Sequence, residues 1–159
     1  MAMDPRIVEA MMASRLMRDE AEVEQFCTSL IALRELPALS RDDVAQLLLV
    51  FDGATENFYD MRGLMHTLEQ RASAADYVDA VVDRLPQLSE NDTETAEDIL
   101  CRIANSAPYR ELLLHHLTTA PPDGRYLVQR SLLAIVQDDD SPSGGVIETL
   151  RQLNLPPAA

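Results

Sequence analysis

The sequence predicts an all-α fold, with eight or nine short helices stacked as antiparallel pairs, either HEAT-like or as an irregular helical bundle. Three observations predict it. Apolar residues recur at helical spacing along the chain, and no segment shows sustained strand alternation bounded by hairpin turns. The apolar set is rich in Leu, Ala, Val and Met, whereas aromatics make up 4% and tryptophan is absent; unbranched side chains lose little rotamer freedom in a helix. Proline, glycine and capping side chains punctuate the chain at short intervals. At 159 residues the chain fits one domain, 1–159, and a domain of that size buries about 70% of its unfolded surface.

Each helix has a local warrant. Asp4-Pro5 is an N-cap followed by proline at the first helical position, opening a helix with Ile7, Val8, Met11, Met12 and Leu16 on its apolar face. A second helix, about 20–36, carries Phe26, Leu30 and Leu33 and stops near Pro37. Ser40 with Asp43 reads as a capping box for a third through Phe51, and Asp52-Gly53 breaks it. Residues 56–72 make a fourth with Phe58, Met61, Leu64, Met65 and Leu68 inward, and 74–88 a fifth with Tyr77, Val78, Val81, Val82 and Leu85. Residues 93–105 and 108–119 form a pair joined at "NSAP", ended by Pro121-Pro122. Helices at 123–137 and about 146–153 complete the set, with "DDDSPSGG", 138–145, as a flexible linker between them. "LPALSRDD" at 36–43 echoes "LPQLSEND" at 85–92 at a displacement of 49 residues, close to the period of two-to-three-helix solenoid units. A true repeat and chance similarity between leucine-rich helices both fit that echo.

Charge narrows the function. Twenty-seven acids against thirteen bases give a net charge of −14, and every base is arginine. Lysine nucleophiles, Schiff bases and P-loops are therefore excluded. The excess negative charge repels nucleic acid and anionic membrane and favours basic partners, whose capture it speeds at low salt. Acidity for solubility alone fits equally well. Cys27 and Cys101 lack CxxC spacing and read as free thiols of a reducing compartment. The opening residues lack the pattern of a secretory signal, and no apolar run reaches the roughly 20 residues of a membrane span. A soluble cytoplasmic protein is expected.

Three sets of residues could carry chemistry. Cys101 with His115 and His116 suggests a metal site or a Cys-His nucleophile. Adjacent helical residues point about 100° apart, however, whereas chelation from one helix wants i, i+3 or i, i+4 spacing. One histidine should be half-buried and the other solvated. "DDDSPSGGVIE" at 138–148 has the glycine of a calcium loop, Gly144, but Leu150 where the bidentate glutamate belongs, so a solvated connection is the better reading. Nucleophile-elbow, zincin, P-loop and dinucleotide motifs are absent. No catalytic residue, metal or cofactor is expected. The third set is acidic: Asp76, Asp79, Asp83, Glu90, Asp92, Glu94, Glu97 and Asp98, opposed within that stretch only by Arg84. Asp76, Asp79 and Asp83 follow i, i+3, i+7 spacing and share one helix face, whose self-repulsion a cationic partner would relieve. A merely solvated face is the alternative.

Two segments complete the reading, "NFYDMRGLMHTLEQ" at 57–70, with Met65, Leu68 and Glu69, and "AEDILCRIANSAPYRELLLHHL" at 96–117, with Arg102, Asn105 and Ser106. In this order they resemble the immunity protein 30 family, small bacterial proteins encoded beside polymorphic or contact-dependent growth-inhibition toxins; the resemblance spans about 57–136. It implies a non-enzyme that binds a cognate toxin C-terminal domain, a nuclease with a basic face, and occludes its substrate cleft. The eight acidic residues are the expected toxin-binding set. Arg102 and Asn105, one turn apart at a helix end, are expected to bond free carbonyls and cap the turn. The alternative in the same fold class is a helical-repeat adaptor holding a cellular protein or peptide, and an enzyme is the third.

Overall fold

A computed structural model describes residues 2–119 and 122–153. Among them nine helices follow in order: α1 (Pro5–Ser14), α2 (Glu20–Glu35), α3 (Arg41–Leu48), α4 (Phe58–Arg71), α5 (Ala74–Asn91), α6 (Thr93–Asn105), α7 (Ala107–Thr119), α8 (Pro122–Asp138) and α9 (Gly144–Leu153). The fold is all-α, as the periodicity predicts. Pro121, half of the proline pair expected to end α7, lies outside the described residues, and Pro122 opens α8.

The caps are local chemistry. Asp4 accepts from the Arg6 N–H at the start of α1, with Pro5 at the first helical position. Ser40 and Asp43 form a complete capping box on α3: the Asp43 N–H donates to Ser40 Oγ at 3.2 Å and the Ser40 N–H to Asp43 Oδ2 at 2.9 Å. Asn57, Ser73 and Asp92 cap α4, α5 and α6 by accepting the N–H of the residue three places on, without the reciprocal bond. Leu16 lies past the end of α1, Phe51 past the end of α3, and α4 starts at Phe58 rather than at 56. Between α1 and α2, Met17 takes a left-handed backbone, φ 50°, an uncommon state for a residue with a side chain; its burial offsets the strain.

Packing makes α5 the spine. It buries Tyr77, Val78, Ala80, Val81, Val82, Leu85 and Leu88 and touches α3, α6, α7 and α8. Fully burying one such aliphatic side chain contributes about 1.5–3 kcal/mol, so the helix is held by its neighbours rather than by propensity. That explains why α5 runs on to Asn91 through Pro86, whose missing N–H and ring oppose the helix interior. Consecutive helices pack as pairs in α1–α2, α5–α6, α6–α7 and α8–α9, while α2 reaches over to α4 and α3 to α5. One apolar core extends from Met3 to Leu153.

The 49-residue echo is only partly structural. It carries α4 onto α7, and the packing of α2 on α4 is matched by that of α5 on α7. The echoing segments themselves differ: Ser40 caps α3, whereas Ser89 lies inside α5 and Asp92 takes the cap of α6.

Candidate partner-binding surface

The acidic stretch occupies α5 and the first half of α6, and the fold supplies it with side-chain partners from elsewhere. His116 Nδ1 lies 2.7 Å from Asp79 Oδ1, from α7. Arg41, at the start of α3, forms an ion pair with Asp83. Arg62 on α4 donates to Asp98 Oδ2 at 3.1 Å. Arg84 is the one base within the stretch itself, and further partners distant in sequence arrive through packing. His116 is the half-buried member of the histidine pair and His115 the exposed one, as the 100° separation predicts.

The remaining acids divide by burial. Asp92 is 5% exposed, and its carboxylate accepts from the Thr95 N–H at 3.0 Å and from Thr95 Oγ1 at 2.6 Å, so it is committed to the α6 cap. Asp76 is half-buried in the first turn of α5. Glu90 and Glu94 are exposed. Glu97 is half-buried, and its carboxyl is held above the ordinary value by burial first, then by Asp138 and Glu94.

Apolar exposure sits beside this acidic surface. Tyr59 is 86% exposed, Phe58 61% and Ile31 57%. Phe58 was expected inward, and its position is a correction. It continues the Met61–Met65–Leu68 stripe but belongs to the first turn of α4, where that stripe opens onto a cleft instead of the core. Two clefts flank Arg62. One of about 360 Å³ lies between α4 and α6, with Phe58 at its edge; the other, about 440 Å³, lies between α2 and α4, beside Cys27, Ile31 and Tyr59. Burial, and then Asp60, pushes the Cys27 thiol up, which disfavours the thiolate a nucleophile needs. Among the described residues no group of three His, Cys, Asp or Glu side chains could hold a metal ion, and no helix is long and apolar enough to cross a membrane.

The two segments read together in the sequence meet in space. Arg102 Nε and Nη2 donate to Glu69 Oε1 and Oε2 at 2.6 and 2.7 Å, a bidentate bridge from α6 to α4. Glu69 raises the Arg102 pKa through those bonds. Contrary to expectation, Arg102 therefore does not cap the turn after α6. That task falls to Arg110, whose Nη1 donates to the Ala104 carbonyl at 2.7 Å. Asn105 turns its amide toward Cys101 Sγ at 3.5 Å, and the Ser106 N–H bonds the Ile103 carbonyl. Behind the bridge, Tyr77 and Tyr109 make an edge-to-face pair with centroids 6.0 Å apart.

The family profile described as Immunity protein 30 matches residues 13–113. The match begins well before residue 57 and stops short of 136, so it is wider at the N-terminal side than the two segments suggest. It includes the acidic surface, both clefts and the Glu69–Arg102 bridge. No curated protein and no solved structure matches the chain.

Proposed function

Because the chain belongs to the immunity protein 30 family, we propose that it binds a cognate toxin domain and neutralises it by covering its working surface. The family match over most of the chain is the observation that carries this reading. In the finer form, the toxin domain is the C-terminal part of a larger bacterial protein and is a nuclease with a basic, nucleic-acid-binding face. The exposed acids of α5 and α6 dock on that face, and the net charge of −14 supports them. Long-range attraction speeds encounter, and the docked chain excludes the polyanionic substrate. No bond is made or broken by this chain, which acts by binding in the cytoplasm of the cell it protects.

The test is co-expression. A toxic C-terminal domain encoded next to this chain should stop growth when expressed alone, and growth should return when both are made. The two proteins should then purify together. Persistent growth arrest with both proteins folded and abundant would remove the proposal.

A further inference from the structure

The cleft between α4 and α6 combines an apolar floor with a rim on which two carboxylates meet one guanidinium, that of Arg62. Phe51, Met61 and Met65 form the floor and are buried. Glu94 and Asp98, one helical turn apart on α6, stand on one side, and the ring of Phe58 lies exposed on the other. We propose that this cleft is an arginine-anchor site, taking one arginine side chain from the basic face of the partner.

Charge and shape both select that occupant. The aliphatic stem of an arginine would lie along the methionines, whose flexible thioethers adapt to an incoming group. Its guanidinium would stack on Phe58 and present a planar fork to Glu94 and Asp98, which the compact ammonium of lysine cannot do. A carboxylate would be repelled, and a wholly apolar residue would strip water from two carboxylates without pairing them. Asp92 adds negative potential from beneath while its oxygens stay on Thr95. Arg62 holds Asp98 in the free protein, but this pair is exposed, and such pairs are weak enough to yield to a better placed guanidinium. Tyr59, on the far side of Arg62, extends the contact area; Tyr and Arg are enriched among the residues that dominate interface energies. The identity of the partner rests on the immunity reading; the chemistry of the cleft does not.

Titration of the isotope-labelled full chain with N-acetyl-argininamide, followed by amide NMR shifts, tests the cleft without the toxin. Shifts should concentrate at Phe58, Met61, Thr95 and Asp98 and exceed those from N-acetyl-lysinamide. Glu94→Gln with Asp98→Asn should weaken binding at least about fivefold, Phe58→Ala should also weaken it, and Glu9→Gln, on α1 away from the cleft, should leave it unchanged. All four positions are exposed or half-buried, and an unchanged amide spectrum elsewhere certifies each fold. Shifts spread evenly over the acidic surface, or indifferent to the Glu94/Asp98 variant, would overturn the proposal. A toxin domain that binds the Glu94/Asp98 variant as tightly as the wild type overturns the anchor and leaves immunity standing. A toxin domain that binds neither overturns the immunity reading, and argininamide binding at the cleft would still support the anchor chemistry.

Discussion

Glu97 sits where α6 meets the end of α8, and burial together with Asp138 and Glu94 raises its pKa. Below the ordinary glutamate pKa of 4.5 the carboxyl is neutral in both the folded and the unfolded chain and costs nothing. As pH rises, the unfolded chain ionises first, so the fold loses stability until the folded carboxyl has ionised too. Glu97→Gln should therefore raise the melting temperature at neutral pH, with the gain vanishing in acid; thermal unfolding followed across pH reads both ends. A basic partner would favour the ionised form, so the same group should make docking tighten as pH rises through its raised pKa. At this scale the sequence is only partly legible. Spacing places Asp79 and Asp83 on one helix, but it cannot show that His116 and Arg41 will meet them, because those contacts are products of packing. Arg102 is the clearest case. Its position at a helix end suggests a cap, yet its long side chain crosses to Glu69 instead, where a bidentate charge-assisted pair outweighs a single carbonyl contact.

Helix starts are legible because caps are made by neighbours in sequence; the Asp4-Pro5 and Ser40–Asp43 signals give the observed starts of α1 and α3. Helix ends and glycines are less so, since tertiary contacts decide them. Gly144 and Gly145 look like parts of a connection, but both belong to α9. A methyl group added at Gly145 would come 2.4 Å from the Ala104 carbonyl oxygen and 2.8 Å from Asn105 Cα, backbone atoms that cannot turn aside. The glycine lets α9 sit directly on the end of α6. At Gly144 nothing lies within 4 Å. Gly145→Ala should therefore destabilise the fold by about 1–3 kcal/mol through overpacking, whereas Gly144→Ala should stabilise it by about 0.5 kcal/mol through loss of unfolded-state freedom. Chemical denaturation of the two variants separates them by sign; equal effects would place the α6–α9 contact elsewhere. Phe58 shows the same limit from the other side. Its spacing puts it on an apolar stripe, and only the position of α6 reveals that the stripe emerges at a cleft there.

Across the whole molecule, a closely packed helical array presents a net charge of −14, and most of its apolar side chains are accounted for by one core. The all-α class follows from pattern and composition, which are global properties of the chain, and so it is legible before any contact is known. The interaction surface is not, because it depends on which acids the fold neutralises internally. Asp79, Asp83, Asp92 and Asp98 are engaged with other side chains, whereas Glu90 and Glu94 face solvent. In the function proposed above, this residual acidity draws in a basic toxin surface and covers it. Stopped-flow association of the chain with its cognate toxin domain, measured from about 0.05 to about 0.5 M salt, tests it most directly. The association rate should fall at least about tenfold over that range, with a shallower fall when Asp76, Glu90 and Glu94 are neutralised. A rate independent of salt, with the neutralised variant associating as fast as the wild type, would contradict it.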